Sequence, residues 1–392
     1  MDSSKRMTVL ALGFGLLGIG GYRIYTQCAQ HACKMDGDRM EYMDRCERHH
    51  RHGSFRDVAL NWEAPTPDPR YQTMMAKQFA VQPNEWLAVD VPIGDVVVET
   101  ADIQEARIEV RMAAQDELLG RAFFQDMKFS ADRNGKTVRI TSSKDVRIWN
   151  RWNGQNGDAR FQIVVLIPKS FNIQLMSGSG NLSVADLEGS AQLWSQAGDI
   201  VTNNIQGAEI KVQTAAGDVQ MGNLKGRVRI ESKAGDVRLG KVEAHDLLSI
   251  FTEAGDIEAG TLSAAQISIQ TAAGNISVTD IAGDTDIRSL AGNINIAHMS
   301  GHLEAATETG DVQVKVHECE GTSVKSKTGD IDIEMPAGSG VQIHAEGNQL
   351  DVSGSFAFEG RQNDRMMQGE MNGGGVVVNV SATEGAVQIS MN

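Results

Sequence analysis

The sequence has few aromatic residues, few prolines and no recognisable catalytic motif. Aromatic residues make up 5% of its 392 residues, and seven prolines stand against 41 glycines. No nucleophile elbow, P-loop or dinucleotide-binding fingerprint is present. Small and β-branched residues dominate instead, which is typical of stacked β-strand repeats rather than of a core built on aromatic side chains.

Basic residues are also fewer than acidic ones. The chain has 36 Lys and Arg residues against 51 Asp and Glu residues, and its formal net charge is −15. Because nucleic-acid binding depends on cationic contacts to phosphates, this balance disfavours a nucleic-acid partner. It is typical of a soluble, mutually repelling surface.

A short motif recurs along the middle of the chain. A Gly, then Asp or Asn, then an aliphatic residue occurs nine times at spacings of 18–20 residues. The glycines are Gly180, Gly198, Gly217, Gly235, Gly255, Gly274, Gly292, Gly310 and Gly329. Three residues before each lies a hydroxyl residue: Ser177, Ser195, Thr214, Ser232, Thr252, Thr271, Ser289, Thr307 and Ser326. A fixed period of this length indicates a repeat architecture.

Each repeat alternates apolar and polar residues on both sides of the Gly. In Ile210-Lys211-Val212-Gln213-Thr214 every second residue is apolar or a small hydroxyl, which is typical of a strand with one buried face. One unit is too small to bury a core alone, but stacked units bury a continuous one. The sequence therefore predicts an all-β protein, a parallel β-solenoid of about nine or more rungs of 18–20 residues. The hydroxyls are expected to point inward and to bond to a group one rung away.

The two ends of the chain differ from the repeats. Residues 1–26 contain an apolar run at positions 7–22 behind Lys5 and Arg6, which predicts a membrane or signal helix, either a retained anchor or a cleaved signal peptide. Residues 27–80 are charged and Cys- and His-containing, and are predicted to be a stalk or linker. Residues 81–392 are predicted to form the solenoid, with a helix near residues 115–127 closing one end. A hairpin is expected at Asn134-Gly135, an excursion at 355–372 and a final strand pair at 376–391.

Three cysteines lie in the predicted stalk. Cys28, Cys33 and Cys46, followed by His49, approximate the spacing of a four-ligand zinc site. In an exported chain the same cysteines can form one disulfide and leave one thiol free. The sequence leaves both alternatives open, together with a stalk that does neither, and we assign no metal or cofactor from it.

The repeat resembles the bacterial putative-adhesin family of unknown function. The matching residues are the stretch Val89–Val96, VDVPIGDV, and the nine T-x-x-G-D-V-like units. The resemblance covers roughly residues 85–392 and implies a right-handed β-helix outside the cytoplasm, without established enzymatic chemistry. It implies nothing about the Cys/His stretch.

Two features of the sequence suggest chemistry and also have a simpler structural explanation. The motif places a column of aspartates one rung apart: Asp199, Asp218, Asp236, Asp256, Asp311 and Asp330. Such a row could bind Ca²⁺ or supply the paired carboxylates of a glycan-cleaving enzyme. We interpret it instead as turn residues that bond to their own backbones. Trp149, Arg151 and Trp152 lie in a Gly- and Asn-rich segment outside the repeat, where they could stack on a sugar or fold down on the protein surface.

Together these features predict a non-enzymatic cell-envelope protein, an adhesin-like binding or scaffold module presented outside the cytoplasmic membrane. The alternatives are a polysaccharide-cleaving β-helix enzyme and a partner in envelope-stress signalling. The expected partners are an envelope glycan or another envelope protein, with the membrane contacted through the N-terminal segment, and self-association remains open.

Overall fold

The structure, a computed structural model, describes residues 70–152 and 157–392. This part of the chain is all-β, as predicted, and has two helices. Neither helix has the length and hydrophobicity needed to cross a bilayer. The predicted signal segment at 1–26 and the stretch containing Cys28, Cys33 and Cys46 lie outside the described residues.

The N-terminal part combines strands with both helices. Its elements are β1 (Gln72–Ala80), β2 (Trp86–Val91), β3 (Asp95–Ala101), β4 (Glu105–Ala113), α1 (Glu117–Met127), β5 (Ser130–Asn134), β6 (Thr137–Thr141), α2 (Val146–Trp152) and β7 (Arg160–Pro168). Helix α1 and the β5–β6 hairpin at Asn134-Gly135 form where the sequence predicts them. Helix α2 is not predicted by the sequence pattern. Strand β1 lies in the predicted linker, yet it pairs antiparallel with β4, and its partly buried Met75 and Phe79 pack on the core.

The repeats form the strands that follow. They are β8 (Asn172–Ser177), β9 (Leu182–Val184), β10 (Ala191–Ser195), β11 (Ile200–Thr202), β12 (Ile205–Thr214), β13 (Val219–Met221), β14 (Leu224–Ala234), β15 (Val237–Leu239), β16 (Val242–Glu243), β17 (Leu247–Ala254), β18 (Ile257–Ala273), β19 (Ile276–Ala291), β20 (Ile294–Thr309), β21 (Val312–Thr328) and β22 (Ile331–Met335). Equivalent residues of successive repeats pair in parallel, so Leu175, Leu193, Val212 and Ile230 lie in one column. All four are buried, because strand alternation turns every second side chain inward.

The C-terminal part departs from sequential stacking. Its strands are β23 (Val341–Glu346), β24 (Gln349–Gly354), β25 (Phe358–Gln362), β26 (Met366–Met371), β27 (Val376–Ala382) and β28 (Ala386–Met391). Strand β27 lies between β21 and β23, and β28 lies between β22 and β24, all in parallel register. The predicted final strand pair is thus last in the chain but not last in the stack. The β25–β26 hairpin pairs antiparallel with β23 and covers its outer edge.

The motif glycines form one column, as the period predicts. A Cβ at Gly180 would contact the carbonyl oxygen of Gly94, and each later motif glycine has the same relation to the one before it. The nine have φ between 122° and 149°, a conformation that disfavours other residues. Glycine is therefore required here both by the backbone conformation and by the close approach of the preceding turn.

The motif hydroxyls point inward, also as predicted. All nine are buried. Six donate to the carbonyl oxygen of the column glycine one repeat earlier, at 3.0–3.4 Å: Ser177, Ser195, Thr271, Ser289, Thr307 and Ser326. The other three, Thr214, Ser232 and Thr252, have no partner among the described residues.

Candidate ligand-binding site

Helices α1 and α2 pack together around Phe123, outside the repeats. Phe123 is fully buried, and its ring centroid lies 5.9 Å from that of Trp149, 5.6 Å from that of Trp152 and 5.5 Å from that of Phe161. Both indoles of the segment singled out in the sequence therefore lie against the protein, and each is half-buried. This packing also explains why a seven-residue helix forms at α2, since short helices depend on tertiary contacts.

Asp126 fixes two of the three predicted ligand-binding residues. Its Oδ2 accepts from the indole Nε1 of Trp152 at 2.9 Å and from Nη1 of Arg151 at 3.0 Å. One carboxylate on α1 therefore holds an indole and a guanidinium of α2 side by side, so neither needs to be ordered when a ligand binds.

Trp152 and Arg151 line an open cleft of about 560 Å³. Its other lining residues in the described part of the chain are Gln115, Asp116, Leu119, Gly157 and Asp158. Trp149 does not line it, although both indoles pack on Phe123. The cleft thus combines one aromatic ring and one aliphatic side chain with an amide, a guanidinium and two carboxylates, a mixture that suits a polar ligand with an apolar face.

The two carboxylates of the cleft have different surroundings. Oδ1 of Asp116 accepts from the backbone N–H groups of Leu118 and Leu119, both at 3.0 Å, and so caps the N-terminus of α1. Asp158 follows Gly157, and both have left-handed backbone conformations, with φ of 52° and 67°. A non-glycine residue in that region stores strain, which occurs often at ligand sites.

The start of α2 is held by an ion pair. Oδ1 of Asp145 accepts from the backbone N–H of Arg147 at 2.9 Å, and both carboxylate oxygens accept from its guanidinium. The side-chain hydrogen bonds from Arg147, followed by its backbone N–H, lower the pKa of Asp145 to about 2. The carboxylate therefore stays charged further into acidic solution than an ordinary Asp, and it keeps its hydrogen bonds to Arg147 at the start of the Trp-bearing helix.

The predicted aspartate column forms a ladder between turns. The Oδ1 atom of each Asp or Asn accepts from the backbone N–H of its equivalent one repeat later, at 2.7–3.0 Å, from Asp95 through Asp330 to Ala386. The sequence pattern predicts instead that these side chains bond to their own backbones. The structure differs because the parallel register brings the next turn's N–H within reach.

The ladder lacks the convergence that a metal site needs. In the described part of the chain no group of three or more His, Cys, Asp or Glu residues is arranged to hold a metal ion. Arg238 offsets part of the negative charge, because its guanidinium lies 2.7 Å from Oδ2 of Asp236 and 3.8 Å from Oδ2 of Asp218.

Several solved structures are similar to this chain at low identity. A putative lipid-binding protein from Parabacteroides distasonis has 12% identity and a TM-score of 0.31, with 82% of this chain and 97% of that chain covered. A putative adhesin from Bacteroides fragilis has 10% identity and a TM-score of 0.27, covering 83% and 99%. A putative adhesin from Parabacteroides merdae has 14% identity and a TM-score of 0.26, covering 68% and 97%.

The family is established by the sequence itself. No curated protein matches the chain. One family pattern, Toastrack DUF4097, matches twice, over residues 94–259 and over residues 227–390. The two matches overlap within the repeats and together include the Asx ladder, the glycine column and both helices. The chain therefore belongs to the Toastrack DUF4097 family.

Proposed function

We propose that this chain is a non-enzymatic binding module of the cell envelope, a right-handed β-helix of nine or more rungs that contacts an envelope glycan through the cleft beside α2. The observation that carries the proposal is the placement of Trp152 and Arg151, which Asp126 holds side by side at the cleft. The N-terminal apolar run supports retention at the membrane, with the repeats outside the cytoplasm.

The chemistry of the cleft suits a sugar. One face of a pyranose ring carries C–H groups that pack on an indole, and its edge carries hydroxyls. Gln115 offers both a donor and an acceptor for those hydroxyls, and the carboxylate of Asp158 offers an acceptor, in the cleft that Trp152 also lines. Because Trp152 is already fixed by Phe123 and Asp126, little side-chain entropy is lost on binding.

The cleft gives little support to a polysaccharide-cleaving enzyme. Glycoside hydrolysis requires two carboxyl groups converging on one bond. Asp116 is engaged in capping α1, which leaves Asp158 as the remaining carboxylate of the cleft. A scaffold role or a role in envelope-stress signalling would each involve a protein partner rather than a glycan.

Binding of the full chain to a glycan array tests the proposal, with Trp152→Ala and Trp149→Ala compared. Both variants lose a ring that packs on Phe123, but only Trp152 lines the cleft. We expect the wild-type chain to retain a defined set of glycans, Trp152→Ala to bind them at least about tenfold more weakly, and Trp149→Ala to bind them normally.

Two results would contradict the proposal. Equal losses in both variants would show that the helices matter only for folding. Release of reducing ends from the retained glycans, abolished by Asp158→Asn, would establish the enzyme instead.

A further inference from the structure

A second aromatic residue lies on the outer face of the repeats, away from the cleft residues. Trp194 on β10 points outward, because its neighbours Leu193 and Ser195 are buried. It is half-buried, and in the described part of the chain no aromatic ring packs on it. Nothing in the repeat requires an indole at this position, since the equivalent residues one repeat before and after are Met176 and Gln213.

The residues around Trp194 are amides, a thioether and an ammonium group. Beside the row Met176, Trp194 and Gln213 runs the row Gln174, Gln192 and Lys211, in parallel register. Nε2 of Gln174 donates to Oε1 of Gln192 at 3.2 Å. We refer to these six residues as the Trp194 platform. It contains no carboxylate, although acidic residues outnumber basic ones by 51 to 36 in the whole chain.

An ion pair closes the platform at each end of the Trp194 row. On one side the row continues from Met176 to Asp90 of the neighbouring strand, and Asp90 pairs with Nζ of Lys144 at 2.7 Å. On the other side Gln213 is followed by Glu231, which accepts from Nε2 of Gln213 and Nε of Arg229, both at 2.6 Å.

Glu231 is held in its charged form mainly by partners other than Lys211. The hydrogen bond from Gln213, and after it the hydrogen bond from Arg229, lower the pKa of Glu231. The positive charge of Lys211 also lowers this pKa, but without a hydrogen bond. No hydrogen bond or ion pair of Lys211 is found among the described residues, so its ammonium group can pair with an external anion. The six residues of the platform together carry a positive charge on an acidic protein.

We infer that the Trp194 platform binds a linear acidic polysaccharide, a chain of sugars that carry carboxylates. The indole packs on the C–H face of one sugar, Lys211 pairs with a carboxylate of the next, and the three glutamines bond to hydroxyls. The rungs are about 4.8 Å apart, a spacing on the scale of one sugar unit, so residues of successive rungs can contact successive sugars. The inference does not rest on the cleft, which lies on other elements and contains acidic side chains.

Calorimetric titration of the full chain with a hexasaccharide of galacturonic acid tests this, with the uncharged cellohexaose as the comparison ligand. We expect the acidic hexasaccharide to bind more tightly than the neutral one. Trp194→Ala is expected to weaken its binding at least about tenfold. Lys211→Gln, which preserves the shape of the surface, is expected to remove the preference for the acidic sugar.

Two variants serve as matched controls. Phe251→Ala removes an exposed aromatic residue one rung beyond Glu231 in the same outer row, and it is expected to leave binding unchanged. Trp152→Ala, which removes the indole of the cleft, is measured beside it so that binding at the cleft is told apart from binding at the platform.

The outcomes separate the two sites. Binding abolished by Trp152→Ala but not by Trp194→Ala would overturn the platform and leave the cleft standing. An unchanged affinity in Lys211→Gln, equal affinity for the two hexasaccharides, or no binding of the acidic one would also overturn the inference.

Discussion

At the residue scale, the buried hydroxyl column shows how much a repeat constrains single side chains. Its inward direction follows from strand alternation and is readable from the sequence. Which hydroxyls find a partner is not readable, because the sequence does not determine the exact separation of neighbouring turns. Thr307 donates to the Gly292 carbonyl at 3.1 Å, whereas Thr252, at the same position of another repeat, has no partner among the described residues.

Because only one of these two threonines has a partner, we expect the same Thr→Val substitution to have different effects on stability at the two positions. Thr307→Val removes the side-chain donor to the partly buried Gly292 carbonyl and should destabilise the protein by about 0.5–1.5 kcal/mol. Thr252→Val replaces a hydroxyl that lacks a partner by a methyl of similar size and should be neutral or stabilising. Urea denaturation followed by circular dichroism measures both. A loss in Thr252→Val as large as that in Thr307→Val would show that packing, not hydrogen bonding, governs the column.

At the element scale, the turns are predictable in position but not in their bonding. The Gly and Asx residues of the motif mark each corner correctly. The partner of the Asx side chain lies one repeat away, which only the stacking register reveals. Helix α2 escapes prediction for a related reason, because its formation depends on Trp149 and Trp152 packing on Phe123 of another helix.

The Asx ladder predicts that an amide can replace a carboxylate in it. Asp311 accepts from the N–H of Asp330 at 2.9 Å and itself follows Asn293 in the ladder. Asp311→Asn keeps the acceptor and removes repulsion with Asp330 one rung away, so the free energy of unfolding should be unchanged or slightly raised. Asp311→Ala loses the bond and should cost about 0.5–1.5 kcal/mol.

Thermal denaturation with and without millimolar Ca²⁺ measures both effects. Calcium is expected to leave the melting temperature of the wild-type chain unchanged. A rise of several degrees that Asp311→Asn reduces would instead identify the ladder as a cation site.

At the scale of the described domain, the stack does not follow chain order at either end. Strands β2 and β3 lie between β6 and β7 on one side and β8 and β9 on the other. Strands β27 and β28 are inserted in the same way near the C-terminus. The repeat period could not predict these insertions, because they join segments that do not follow one another in the sequence. Antiparallel strands then cover β7 and β23, as outer edges left open would invite aggregation.

Because β27 and β28 lie between other strands, we expect that a separate peptide can supply them to a chain that lacks them. A chain ending at Gly375 lacks β27 and β28, so the edges of β21, β22, β23 and β24 lose their partners. It should melt at a lower temperature and self-associate in a concentration-dependent way, as measured by calorimetry and light scattering. A synthetic peptide of residues 376–392 should restore the monomer, because it provides parallel pairing on both sides.

The matched control is the same peptide with Val378→Asp and Ile389→Asp, which places charges at two fully buried positions. This peptide should fail to restore the monomer, because an unpaired buried carboxylate costs several kcal/mol. Equal rescue by both peptides would mean that the strands add to an exposed edge rather than insert between two layers. A truncated chain that stays monomeric and keeps the wild-type melting temperature would show that β23 and β24 can close directly onto β21 and β22 and that the inserted layer is dispensable.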